Sequence, residues 1–187
     1  MTITIKDQQE IEKMRVAGKL AADVLEMIEP HVKAGVTTDE LNTLCAEYTD
    51  KVQSAISAPL NYHGFPKSIC TSVNHVVCHG IPNDVPLVDG DIINIDITVI
   101  KDGYHGDTSK MFCIGETSAE DNRLCRITQE ALYVGLKKVK PGNTFGEIGT
   151  AIQKFIKKSG RYSIVKEYCG HGIGKEFHEE PQIVHYK

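Results

Sequence analysis

Asp91-Ile92-Ile93-Asn94-Ile95-Asp96-Ile97-Thr98-Val99-Ile100-Lys101-Asp102-Gly103 is the most strongly patterned stretch of this 187-residue chain. Ile93, Ile95, Ile97 and Val99 point to one side and Asn94, Asp96 and Thr98 to the other, the alternation of a strand with one buried face. Asp102-Gly103 is a pair favoured by two-residue hairpin turns, and a return strand is read from Tyr104 to Ile114. That turn sets Lys101 against Tyr104 and Thr98 against Asp107. Asp107 is then the diagonal neighbour of Asp96 on one face, about 7–8 Å away between backbones.

Outward from the hairpin, the chain repeats itself. Residues 33–41 read Lys-Ala-Gly-Val-Thr-Thr-Asp-Glu-Leu and residues 140–148 read Lys-Pro-Gly-Asn-Thr-Phe-Gly-Glu-Ile. Thr37 with Glu40, and Thr144 with Glu147, have the spacing of capping boxes, in which hydroxyl and carboxylate each satisfy a backbone donor. A helix is predicted before each copy, from Met14, Ala17, Ala21, Val24 and Ile28 and from Leu124, Ile127, Ala131 and Leu132. A nine-residue echo can arise by chance, but the matching helices favour a duplicated helix–helix unit. Strand-like segments fill the block between the second helix, ending near Ser54, and Thr117. Shifting that block by the repeat offset carries its end past Lys187, so the second half reads as incomplete. The expectation is an α+β fold in a single domain spanning 1–187.

Composition narrows the function. Hydrophobic residues make up 41% and charged residues 25%, with a net charge of −4 and no basic block, which argues against a dedicated nucleic-acid binder. No apolar run is long enough to span a membrane, and Met1–Asp7 lacks a signal-peptide core, so a cytoplasmic protein is expected. Cys45, Cys70, Cys78, Cys113, Cys125 and Cys169 form no CxxC pair and are read as reduced thiols.

Three constellations carry chemistry. Asp96 interrupts an isoleucine-rich strand although aspartate disfavours strands. With Asp107 it either forms a solvated polar face or converges on cations, as a two-metal site requires. Cys169-Gly170-His171-Gly172-Ile173-Gly174-Lys175-Glu176-Phe177-His178 brackets a histidine with glycines. The glycines favour a loop, and His171 is either a turn residue or a ligand that meets the aspartates in space. Cys78-His79-Gly80-Ile81-Pro82 puts a histidine at a strand end, placed either for a cleft or for a turn.

Together with the Asn94-x-Asp96 strand, Gly106-Asp107-Thr108, Phe177-His178-Glu179-x-Pro181 and Tyr62-His63-Gly64-Phe65-Pro66-Lys67-Ser68, these segments resemble type I methionine aminopeptidases of the bacterial kind. The resemblance covers essentially the whole chain. It implies the pita-bread fold, a curved antiparallel sheet backed by two helix pairs with an internal pseudo-twofold. It also implies two divalent metal ions (Co, Mn, Fe or Zn) on Asp96, Asp107 and His171, with Asp107 bridging. His79 and His178 would serve catalysis and contact substrate, His79 near the scissile amide and His178 at the carbonyl oxygen. Tyr62, Phe65, Cys70 and Phe177 would line the methionine pocket. The implied reaction is metal-assisted removal of N-terminal methionine from nascent polypeptides with a small second residue. The implied enzyme is a cytoplasmic monomer when complete. Transient ribosome contact fits such an enzyme, although no motif displays it.

The family pattern also contains two glutamate ligands further along, one doubling as acid and base. Both would fall beyond Lys187, and Glu176, Glu179 and Glu180 do not match the motifs that supply them. A non-catalytic binding module on the same scaffold is therefore the alternative. A relative that cleaves before proline is a third reading, opposed by the helix pair beginning within the first dozen residues. A structural zinc site has no paired Cys/His spacing behind it.

Overall fold

Asp102 and Gly103 both adopt left-handed backbone, with φ of 49° and 78°, which twists the turn to match the strands it joins. In the computed structural model, which describes residues 2–187, strands β3 (Ile92–Lys101) and β4 (Tyr104–Cys113) flank this turn. Lys101 pairs with Tyr104, Thr98 with Asp107 and Asp96 with Ser109, the register the sequence predicts. On its other side β3 pairs antiparallel with β1 (Ile56–Ser57) near the turn and with β2 (Cys70–Val73) further along.

Two compact units make up the chain. The larger contains Ile5–Ser118 and the short segment Gly174–Phe177. Helix α1 (Gln8–Ile28) lies on the sheet, burying Ala17, Ala21, Val24 and Ile28 completely. Ile93, Ile95, Ile97 and Val99, at most 2% exposed, form the facing layer. Each such isoleucine contributes about 1.5–3 kcal/mol through burial. Helix α2 (Thr38–Glu47), capped by the Thr37–Glu40 box, adds Leu41 and Cys45 to the core and widens into a π turn over Tyr48–Val52. Gly106 is where α1 meets β4 most closely. A Cβ there would stand 2.2 Å from the Ala17 carbonyl carbon and 2.3 Å from the Gly18 nitrogen.

Glu10 ties the start of α1 to the sheet. It closes a capping box with Asp7, accepts from the Tyr104 hydroxyl at 2.8 Å and pairs with Lys175 at 3.1 Å. The Asp7 backbone hydrogen bond, with those from Tyr104 and Lys175, holds its carboxyl down at about 2, against an ordinary 4.5. Because the folded value lies below the unfolded one, the stabilisation is present above pH 4.5 and lost as pH falls towards 2. Glu10→Gln should therefore lower the melting temperature at pH 7 and lower it much less at pH 2. Scanning calorimetry at the two pH values checks this, and an equal loss at both would remove the charge-based account.

The smaller unit contains Ala119–Ile173, His178–Lys187 and residues 2–4. Helices α3 (Ala119–Leu136) and α4 (Phe145–Ser159) pack through Ile127, Ala131 and Ile156. Gly135 lets Ile152 of α4 approach, because a Cβ there would lie 2.9 Å from the Ile152 methyl. The Thr144–Glu147 box caps α4 as predicted. Leu124 and Leu132, which share the α3 spacing with Ile127 and Ala131, are 41% and 55% exposed. The predicted loop around His171 is instead a short strand, β5 (Gly170–Gly172), paired with β6 (Glu179–Ile183). Glycine permits the pairing here, since a Cβ on Gly172 would stand 2.4 Å from the Glu180 carbonyl oxygen. The architecture is α+β, with antiparallel sheets and, among the described residues, four α-helices. No helix among the described residues is long and apolar enough to cross a membrane, and the six cysteines are all reduced.

Candidate metal and substrate site

The larger unit contributes a pair of carboxylates. Asp96 is half-buried on β3, and Asp107, exposed on β4, is its diagonal neighbour. Burial, then the negative charge of Asp107 and a hydrogen bond between the two carboxyl groups, push Asp96 up to about 7, only partly opposed by the Ile97 amide. A carboxylate held against its neighbour on an isoleucine-rich strand is unfavourable alone, and a cation beside both oxygens relieves that repulsion. The residues present fit a divalent ion in this sense. Among the described residues, no group of three or more His, Cys, Asp or Glu side chains is arranged to hold a metal.

Cys70 pairs directly across from Asp96 in the β2–β3 register. Burial, then the charges of Asp96 and Asp107 and nearby Cys78, push its thiol up to about 12. It therefore stays a neutral, soft, apolar wall beside the carboxylates, suited to a thioether. His79 has φ of +55°, an uncommon conformation for histidine, and Gly80 explains how it is held. The Thr71 amide donates to the Gly80 carbonyl at 2.8 Å, and the Gly80 amide donates to Ser72 Oγ at 3.1 Å. A Cβ on Gly80 would meet the Thr71 oxygen at 2.0 Å, so only glycine lets this segment lie against β2.

Tyr62 stands between Asn61 and His63, both in left-handed backbone with φ of 66° and 48°. Its ring lies 4.4 Å from that of His63 and 4.9 Å from that of Phe177. Phe65 closes the same turn, its amide donating to the Tyr62 carbonyl and its carbonyl accepting from Asn61. Phe177 also stacks on His105, with centroids 5.6 Å apart and planes 21° apart. Sequence reasoning passed over His105. Its available signal was its position two residues before Asp107 on the polar face of the hairpin.

In the smaller unit, His171 and His178 come together, with ring centroids 4.3 Å apart. His171 Nδ1 donates to the Gly172 carbonyl at 2.8 Å. The carbonyl only accepts, so Nδ1 carries a proton, the arrangement in which Nε2 is the nitrogen a metal-ligating histidine would use.

Comparison with known proteins points to a metallopeptidase family. The model of metallopeptidase family M24 matches residues 12–187. A methionine aminopeptidase of Escherichia coli K12 is 63% identical over all 187 residues, which span 70% of its length. Among solved structures, a methionine aminopeptidase from Rickettsia prowazekii superposes with a TM-score of 0.96 at 53% identity, covering 99% of this chain and 74% of that one. One from Thermotoga maritima gives 0.95 at 35% identity with the same coverages.

Proposed function

The chain belongs to metallopeptidase family M24 and, within it, to the methionine aminopeptidases, and from that premise we propose that it removes N-terminal methionine from new polypeptides whose second residue is small. The observation that carries the reading is the Asp96–Asp107 pair, two carboxyl groups close enough to hydrogen-bond to each other, whose combined negative charge a cation would neutralise once both are ionised. Residues 1–187 are read as belonging to one catalytic domain. Asp96, Asp107 and His171 would hold two divalent ions (Co, Mn, Fe or Zn). Such ions supply Lewis acidity towards the scissile carbonyl and lower the pKa of water.

The protein's own groups divide the remaining work. Tyr62, Phe65, Cys70 and Phe177 would receive the methionine side chain, whose thioether suits aromatic edges and a neutral thiol. His79 would donate or accept at the scissile amide. His178 would donate to the carbonyl oxygen as negative charge develops there, an interaction stronger in the transition state than in the ground state. The proposed partners are nascent-chain N-termini, with transient ribosome contact and a monomeric, cytoplasmic enzyme as further parts of the reading.

The test is methionine release from a Met-Ala-Ser peptide by this chain with Co²⁺ or Mn²⁺, and with chelator as control. Metal-dependent release is the expected result. Metal binding without release would overturn the catalytic reading for this chain and leave the alternative, a non-catalytic binding module on the same scaffold.

A further inference from the structure

We propose that His105 is a positioning residue that fixes one wall of the methionine pocket by clamping the segment Gly174–Phe177 onto strand β4. The inference rests on the pocket reading above and adds to it a residue outside the family motifs quoted in the sequence.

His105 is 8% exposed within a strand whose other buried positions call for apolar side chains. A buried imidazole is unfavourable unless its polar atoms are satisfied. Its Nδ1 meets the Gly174 carbonyl at 3.0 Å, and its backbone amide donates to the same oxygen at 2.9 Å. One carbonyl thus takes two donors from one residue, at the side of β4 that no strand among the described residues pairs. Because that oxygen only accepts, Nδ1 carries the proton. Three residues on, Phe177 stacks on the same imidazole. A single side chain therefore grips both ends of a four-residue segment.

Between those grips, Lys175 pairs with Glu10 at 3.1 Å and lies 5.6 Å from the Tyr104 ring centre. The Lys175 fastening is at the surface, where an ion pair contributes little. The His105 grip is buried and fixes a ring plane. Phe177 also lies against Tyr62, which its left-handed flanking residues already constrain. Without His105, Phe177 loses a ring stacked on its own, whereas Cys70 and Asp96 keep their pairing between β2 and β3. The consequence is selective: side-chain recognition weakens and cation binding persists.

The experiment compares the full wild-type chain with His105→Ala, His105→Phe and His105→Asn. Phenylalanine keeps a ring against Phe177 and deletes the donor to Gly174. Asparagine places an amide nitrogen where Nδ1 sits and deletes the ring. The first readout is saturation transfer from metal-free protein to the methyl group of free L-methionine, which needs no turnover. Mn²⁺ affinity by calorimetry and the melting temperature accompany it. His105→Ala should weaken methionine binding about tenfold, with His105→Phe and His105→Asn each recovering part, and Mn²⁺ affinity should stay within about twofold. Where the peptide is turned over, the loss should fall on KM more than on kcat, because the side chain is held equally in ground and transition states.

Unchanged methionine binding in all three variants overturns the inference and leaves the pocket intact. Parallel loss of methionine binding, Mn²⁺ affinity and melting temperature, with no recovery in the two partial variants, overturns it in favour of a structural role. Absence of methionine binding in wild-type chain that binds Mn²⁺ removes the pocket itself, and the inference with it.

Discussion

Asp107→Asn should abolish measurable Mn²⁺ or Co²⁺ binding while making the metal-free protein more heat-stable at pH 8. Outer-shell partners of metal ligands typically affect affinity by about 10–100-fold, so loss of a proposed ligand itself should exceed that range. Asp107→Ala should lose metal in the same way. The stability change has the opposite sign because the pair is unfavourable without a cation. In the metal-free protein Asp96 is raised to about 7, chiefly by burial and then by the charge of Asp107. Its folded value lies above its ordinary 3.8, so between about pH 4 and pH 7 the folded state binds more protons than the unfolded. Stability therefore falls as pH rises through that window. The asparagine removes one cause of the shift, so the variant falls less steeply. The two proteins should melt alike at pH 4 and diverge by pH 8, with the variant higher. Added Mn²⁺ should reverse the order by stabilising the wild type alone. Unchanged calorimetric binding would overturn the site assignment, and a lower metal-free melting point at pH 8 would overturn the account of the pair.

The same pair illustrates what the sequence discloses about this molecule. The register that makes Asp96 and Asp107 neighbours was legible because Asp102-Gly103 allows a two-residue turn, after which alternation determines every partner down to Asp96 opposite Ser109. Both capping boxes were legible for a similar reason, since residue types at local spacing satisfy local backbone groups. Contacts between distant segments left weaker traces. The glycines around His171 read as loop formers, whereas Gly172 is needed because β6 passes too close for a side chain. Nothing local separates those two uses of glycine. Helical spacing grouped Leu124 and Leu132 with Ile127 and Ala131, but periodicity defines a face and not how much of it α4 covers. His105 was missed because its partners, Gly174 and Phe177, are far along the chain and leave no mark near residue 105.

Gly106→Ala should cause the largest loss of stability of any single methyl group added to the hairpin. The added Cβ would lie 2.2 Å from the Ala17 carbonyl carbon, 2.3 Å from its oxygen and 2.3 Å from the Gly18 nitrogen. All three are backbone atoms in the middle of α1, so no side-chain rotation relieves the overlap. The helix must lift from β4 or the strand must bend. Overpacking usually costs about 1–3 kcal/mol where side chains can move, and an unyielding contact belongs at or above the top of that range. For a chain of this size that is a fall in melting temperature on the order of 10 °C. The neighbouring position supplies the control. Gly18→Ala adds a methyl to the same stretch of α1, where nothing lies within 4 Å and the backbone is helical. It should be neutral or stabilising by about 0.5–1 kcal/mol, since alanine is the better helix former. Gly106 also immediately precedes Asp107, so any shift of β4 that admits the methyl displaces that carboxylate. Gly106→Ala should therefore weaken Mn²⁺ binding as well, while Gly18→Ala leaves it alone. Thermal melts and calorimetry on the two variants decide the matter. Equal stability in both would mean that α1 does not rest on β4 at Gly106, and that the close helix–strand contact is not what holds Asp107 in place.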